Sequence, residues 1–173
     1  KGTPEFLAAD DRFDTRVVPL VEAAGETASS SHIRGLVAAG DVRTASEFLG
    51  GPFLFEGEVV TGDQRGRELG MPTANLVPDD ALVCPSNGVY AAWAHGHPAA
   101  VNVGVRPTFD TGRGLLVEAY LIGFEGDLYG GALRIAFVER MRGEKRFDSV
   151  DDLVEQMQAD VAEAERICAA TSY

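Results

Sequence analysis

Apolar residues in the middle of the chain are grouped in short runs that predict β-strands. Residues 53–60 form the first run, and four more follow at 88–95, 98–104, 115–122 and 133–140. Gly, Pro, Asp and Asn fill the segments between the runs, so we expect short hairpin-type turns there. Several short strands at this spacing, without helices between them, favour a mainly β fold with an antiparallel sheet closed into a small barrel.

Helical patterns flank the strand-rich region on both sides. Near the end of the chain, apolar residues recur at helical spacing and predict one amphipathic helix: Val150, Leu153, Val154, Met157, Val161, Ala164 and Cys168. Ser149 is the expected cap of this helix. Upstream, the serines at 29–31 and Asp41 predict two short helices that end near Gly40 and Gly50, and residues 17–21 have a strand-like composition.

Size and charge limit the classes of function. The chain has 173 residues, 45% of them hydrophobic, and a formal net charge of −12. So acidic a surface repels nucleic acid and anionic membranes, and no apolar run approaches the ~20 residues of a membrane helix, so neither is expected as a partner. Cys84 and Cys168 are isolated and lack metal-site spacing, which fits a reducing cytoplasm.

We expect three segments along the chain. Residues 1–6 look like a vector-derived remnant, residues 7–50 like a short tail and linker, and residues 51–173 like the main domain. The principal nucleotide and zinc motifs are missing from the sequence, including the phosphate-binding loop, G-x-G-x-x-G after a strand and H-E-x-x-H. The two histidines at 95 and 97 are best explained as part of a hairpin turn.

The candidate chemistry is concentrated in residues 62–76, directly after the first strand. Its notable residues are Gly62, Arg65, Gly66, Arg67, Gly70, Pro72, Thr73 and Asn75. Glycines let backbone N–H groups approach a ligand, arginines suit phosphate, and Thr and Asn offer neutral oxygens to a hard cation. The segment therefore indicates a nucleotide-phosphate and Mg²⁺ site, although a glycine-rich hairpin with solvated arginines is the simpler alternative.

Six motifs follow one another along the chain: RGRELGMPTANL at 65–76, NGVY at 87–90, VNVGVRPTF at 101–109, EAYL at 118–121, DLYG at 127–130 and RGEKRFDS at 142–149. Together they resemble the motifs of riboflavin kinase, the ATP-dependent enzyme that makes FMN. The resemblance spans roughly residues 52–168 and implies a small antiparallel Greek-key barrel with a C-terminal helix. It also implies ATP as phosphate donor, riboflavin as acceptor, and FMN as product.

The resemblance assigns roles to individual residues. It implies Glu118 as the catalytic base and Thr73 with Asn75 as the Mg²⁺ ligands. ATP phosphates would lie against Gly62, Arg65, Gly66, Arg67, Gly70, Pro72 and Thr73. Flavin would lie against Arg142, Lys145, Arg146 and Phe147.

Two further expectations concern the wider protein. Residues 29–42 resemble the tail of the FMN adenylyltransferase module of bacterial bifunctional FAD synthetases, so we expect the native protein to carry that module upstream. Because its nucleotide-binding core is missing, this chain is not expected to make FAD. A non-catalytic barrel that binds flavin or nucleotide as a regulatory module is the alternative to the enzyme.

Overall fold

The computed structural model describes residues 3–12, 14–23, 25–62, 66, 69–77, 81–105 and 114–171. The helices in this part of the chain are α1 (Pro4–Ala8), α2 (Ser30–Ala39), α3 (Val42–Leu49) and α4 (Val150–Ala169). The strands are β1 (Glu22–Ala23), β2 (Glu26–Thr27), β3 (Phe53–Val60), β4 (Ala74–Leu76), β5 (Gly88–Ala94), β6 (His97–Val105), β7 (Leu115–Leu121) and β8 (Ala132–Arg142). No helix of the described residues is long and apolar enough to cross a membrane.

Strands β3 to β8 form a closed barrel in the order β3-β4-β7-β6-β5-β8, and every neighbouring pair is antiparallel. Strands β5, β6 and β7 follow one another as neighbours, and β8 then returns to lie beside β5. This arrangement is a Greek key. The expected mainly β fold with a small antiparallel Greek-key barrel is therefore confirmed.

Side chains alternate between the inside and the outside of the barrel because successive residues of a strand point to opposite faces. On β7, Val117, Ala119 and Leu121 are buried, whereas Leu116, Glu118 and Tyr120 are half-buried. The interior is filled by apolar side chains from all six strands, among them Phe55, Val59, Leu76, Tyr90, Val101, Val103, Leu133, Ile135 and Phe137. Polar side chains on these strands are thereby left to the outer face.

The C-terminal helix α4 covers part of the outer face. Ala164, Ile167 and Cys168 pack on Ala91 of β5 and Val138 of β8 in a second apolar cluster. The helix begins at the expected cap, where Ser149 Oγ accepts a hydrogen bond from the Asp152 N–H at 3.1 Å. Its second half therefore provides most of the packing against the barrel.

The first half of α4 is less completely covered than the apolar stripe in the sequence would predict. Leu153, Val154 and Met157 are only half-buried, as is Val161 just beyond this half, and Val150 is 62% exposed. The apolar side chains of this half are thus partly exposed beside the segment that connects β8 to α4.

Most of the predicted elements are confirmed, but the strand at residues 17–21 is not, and four observed elements (α1, β1, β2 and β4) were not predicted. The structure has no strand at residues 17–21, which are irregular and exposed, because they find no neighbouring strand among the described residues. Strand β4 was not predicted, because three residues are too short for a periodic pattern. The hairpin turn at His95 and Gly96 is confirmed by positive φ values of 50° and 80°, as in a two-residue turn that matches strand twist.

Candidate active site

Three polar residues from three neighbouring strands lie side by side on the outer face of the barrel. Asn75 of β4 is the register partner of Glu118 of β7, and Glu118 is the register partner of Asn102 of β6. Directly opposed residues share a face of the sheet and approach to within about 5 Å. Asn102 Nδ2 lies 3.4 Å from Glu118 Oε2, a long hydrogen bond that orients one oxygen of the carboxylate. We call these three residues the polar row.

Asn75 carries an unsatisfied acceptor at one end of the polar row. The residue is 4% exposed, and its Oδ1 has no hydrogen-bond partner among the described residues. Its Nδ2 donates to the backbone oxygen of Thr73 at 3.3 Å. Because an unpaired buried carbonyl is costly, such an atom calls for a ligand, and the neutral oxygens of Asn75 and Thr73 suit Mg²⁺.

The glycines at 62 and 66 allow the loop before β4 to pass close to these ligands. A Cβ atom at Gly62 would lie 2.5 Å from Asn75 Cγ, and one at Gly66 would lie 2.4 Å from the Met71 backbone oxygen. Gly70 has a positive φ of 80°, which glycine adopts without strain. The structure therefore brings Gly62 and Gly66 against the predicted metal ligands; Arg65 and Arg67 lie outside the described residues.

A cavity of about 340 Å³ opens beside Asn75, where β4 begins and β7 ends. Its walls include Pro72, Thr73 and Asn75 on one side and Phe124, Asp127 and Tyr129 on the other. The volume lies in the range of small-molecule sites, and the walls combine apolar surface with a few polar groups. The cavity could hold a nucleotide whose phosphates reach Thr73 and Asn75.

The predicted flavin residues lie on the other side of the polar row. Arg142 ends β8 and is the register partner of Val89, which itself pairs with Asn102. Arg142 is therefore three strands away from Glu118 in the barrel order β7-β6-β5-β8. Lys145 and Arg146 are exposed, and Phe147 is half-buried with the Lys145 Nζ 5.4 Å from its ring centre.

The Arg142 guanidinium is already engaged within the protein. It bonds to both carboxylate oxygens of Asp160 on α4, at 2.9 and 2.6 Å. Sequence reasoning did not single out Asp160, nor Phe124 in the cavity wall. The only sign of Asp160 in the sequence is a carboxylate next to the apolar stripe of α4, and Phe124 has none.

The two cysteine thiols do not add a nucleophile to the site. Burial raises the pKa of the Cys84 thiol to about 12 and also raises the pKa of Cys168. Both thiols therefore stay protonated at neutral pH, and the thiolate is the reactive form. Both cysteines are free, as the sequence predicts.

Comparison with known proteins identifies the family. The flavokinase family profile, described as riboflavin kinase, matches residues 49–168. A bifunctional riboflavin kinase/FMN adenylyltransferase of Bacillus subtilis is 38% identical over 174 residues, covering 96% of this chain and 55% of the relative. The chain spans about half the length of the curated relatives it matches.

Two solved structures share the fold. A riboflavin kinase from Trypanosoma brucei superimposes with a TM-score of 0.52 at 26% identity, covering 67% of this chain and 79% of that one. A Streptococcus pneumoniae protein described as a macrolide-efflux protein superimposes with a TM-score of 0.85 at 36% identity, covering 95% of this chain and 55% of that one. Proteins that share a fold can have different functions, so the fold alone does not decide the function of this chain. With the family profile matching most of its length and the barrel and polar row in place, this chain belongs to the riboflavin kinase family.

Proposed function

We propose that this chain transfers the terminal phosphoryl group of ATP to the 5′-hydroxyl of the ribityl chain of riboflavin, giving FMN and ADP. The observation that carries the proposal is the polar row. In it Glu118 is the register partner of Asn75, whose side-chain oxygen has no hydrogen-bond partner among the described residues, and the 340 Å³ cavity lies next to Asn75. Phosphoryl transfer needs such an arrangement, because its catalysis is mainly positioning and charge stabilisation.

The ATP side of the site is the cavity together with the loop from Gly62 to Thr73. The nucleoside would occupy the cavity between Pro72 and Phe124, and the phosphates would point toward Asn75. Gly62 and Gly66 support this because their missing side chains leave the loop backbone close to Asn75 and Met71. Gly70 would let the backbone turn back toward Pro72, and Arg65 and Arg67 would neutralise phosphate charge.

Thr73 and Asn75 would hold Mg²⁺ through a hydroxyl and a carbonyl oxygen. Mg²⁺ takes few protein ligands and completes its shell with water and substrate phosphates. When bound, it would neutralise charge on the phosphates that move during the reaction. The buried position of Asn75 keeps its oxygen fixed, which favours a single arrangement of the ligands.

Glu118 would accept the proton of the attacking hydroxyl. The hydroxyl oxygen forms the new bond to phosphorus, the bond to the leaving ADP oxygen breaks, and the proton passes to the carboxylate. Asn102 would orient the Glu118 carboxylate through the 3.4 Å contact between Asn102 Nδ2 and Glu118 Oε2, with the other oxygen turned to the substrate. Asn102 is thus a positioning residue for the base.

Riboflavin would lie across the outer face between the polar row and the first half of α4. An isoalloxazine ring needs apolar walls with a few polar groups. The half-buried apolar side chains of α4 and Phe147 offer such walls, and Arg142, Lys145 and Arg146 lie along the same segment.

Incubation of the purified chain with ATP, Mg²⁺ and riboflavin tests the proposal directly. FMN and ADP should form in equal amounts, as measured by chromatography of the flavins and nucleotides. Riboflavin binding without ATP consumption would favour the non-catalytic regulatory barrel instead. A lack of FMN with Mg²⁺, Mn²⁺ and Zn²⁺ alike would overturn the enzyme proposal.

The same proposal extends to the setting of the chain. The matched relatives are described as bifunctional, with an FMN adenylyltransferase activity as well as the kinase. Together with the resemblance of residues 29–42, this supports assigning residues 7–50 to the tail of such a module, with residues 51–173 as the kinase. Small molecules would be its partners, and two free cysteines fit a reducing cytoplasm.

A further inference from the structure

The connection between β8 and α4 is tied to the middle of α4 by a buried ion pair. Arg142 donates from Nε and Nη2 to the two carboxylate oxygens of Asp160, which is only 7% exposed. The Arg142 side chain is 24% exposed, so the pair is largely withdrawn from water. Two parallel bonds between a guanidinium and a carboxylate fix distance and orientation together.

A second link holds the same connection one helical turn earlier. Gln156 Nε2 donates to Asp160 Oδ1 at 3.1 Å, and Lys145 Nζ donates to Gln156 Oε1 at 3.2 Å. Arg142 Nη1 also donates to the backbone oxygen of Gly143 at 2.9 Å. Asp160 therefore stands at the centre of a hydrogen-bonded network that fixes both ends of residues 142–145.

The tied segment borders the polar row. A Cβ atom at Gly104 would lie 3.4 Å from Glu144 Oε1 and 3.5 Å from Asn102 Nδ2, so Glu144 and Asn102 lie around the same glycine. Glu144 also accepts a hydrogen bond from Asn87 Nδ2 at 3.3 Å. A shift of the segment would thus move the wall of the site beside Asn102.

We propose that Asp160 is a positioning residue for riboflavin. It touches no substrate; through Arg142 and Gln156 it holds residues 142–147 in the place where they contact the flavin. The inference rests on the proposed function and deepens it. In it Arg142 is not a free cation: paired with Asp160, it anchors the flavin-binding segment. A pair that contributed only to stability would leave the affinity for riboflavin unchanged in the folded protein.

The test compares three substitutions in the whole chain. Asp160→Asn keeps the shape but removes the charge, Gln156→Met breaks only the second link, and Glu56→Gln breaks a control Arg–carboxylate pair at the other end of β8. In that control, Arg134 on β8 bonds to Glu56 at 2.8 Å through both Nε and Nη2, on an exposed part of the barrel. Riboflavin Kd is measured from flavin fluorescence without ATP, and KM is measured for both substrates.

Asp160→Asn should raise both the Kd and the KM for riboflavin about tenfold, because residues 142–147 would be misplaced on the flavin side of the site. The KM for ATP should stay within about twofold of its value in the unmodified chain. Gln156→Met should act in the same direction with a smaller effect, and Glu56→Gln should change neither. An Asp160→Asn protein with a native circular dichroism spectrum and unchanged riboflavin Kd would overturn the inference, as would equal increases in both KM values.

Two further outcomes keep the inference separate from folding and from the proposed function. If Asp160→Asn does not fold, Gln156→Met decides, and an unchanged riboflavin Kd in that variant overturns the inference. If the unmodified chain binds riboflavin but makes no FMN, the proposed kinase function fails. The comparison of riboflavin Kd values still supports or overturns the role of Asp160 in that case.

Discussion

The two faces of strands β4, β7 and β6 differ in chemistry at neighbouring positions. Each member of the polar row lies between two buried apolar residues of its own strand. Asn75 lies between Ala74 and Leu76, Glu118 between Val117 and Ala119, and Asn102 between Val101 and Val103. The inner face excludes water and closes the barrel, whereas the outer face presents one carboxylate between two carboxamides. Since alternation separates the two faces, a substitution in the polar row should affect mainly activity, and one on the inner face away from the cavity should affect mainly stability.

Glu118→Gln should have the largest effect on activity. It removes the proton acceptor while keeping the shape of the side chain, so kcat should fall by ~10²-fold or more. The free energy of unfolding should change by only about 0.5 kcal/mol, because the residue is half-exposed on the outer face. FMN formation and urea unfolding of the same preparation measure both quantities, and near-normal turnover would remove Glu118 from the mechanism.

Leu76→Ala tests the inner face next to Asn75. Leu76 is fully buried in the barrel interior, so truncation should lower the free energy of unfolding by about 2–5 kcal/mol. Turnover per folded molecule should stay near that of the unmodified chain at a temperature where the variant is folded. Loss of turnover without loss of stability would contradict the separation of the two faces.

Gly62→Ala tests how tightly the loop is fitted to the polar row. The added methyl group would lie 2.5 Å from the Asn75 carboxamide and must displace it, so turnover should fall about tenfold through misplacement of the metal ligand. Gly51→Ala is the matched control, because a Cβ there meets no atom within 4 Å. Equal activity of the two variants would show that the close approach at Gly62 is not needed.

The sequence predicts the barrel well because its strands are marked by local signals. Runs of apolar residues, glycine-rich turns and the caps at Ser29, Asp41 and Ser149 depend on residues close together in the chain, and the structure confirms them. Strand β4 was missed because three residues are too short for a periodic pattern. Residues 17–21 have strand-like composition, but a strand also needs a neighbour, which composition does not reveal.

The site could be predicted only as separate motifs. Asn75, Asn102 and Glu118 are spread over more than forty residues, and only the strand order β4-β7-β6 brings them into one row. The pair between Arg142 and Asp160 depends on the angle at which α4 folds back over the barrel, which no local pattern encodes. The roles assigned to the predicted site residues, including those at 65 and 67 outside the described residues, stay predictions.

The most direct test of the account is metal rescue at Asn75, because its unsatisfied oxygen is the proposed meeting point of metal and nucleotide. Asn75→Cys replaces that oxygen with sulfur, which binds soft metals in preference to Mg²⁺. We predict that this variant makes little FMN with Mg²⁺. Adding Cd²⁺ should raise the turnover of the variant by a factor at least about tenfold larger than the factor by which it changes the turnover of the unmodified chain. Full activity of Asn75→Cys with Mg²⁺ alone, or equal loss with both metals, would contradict the account.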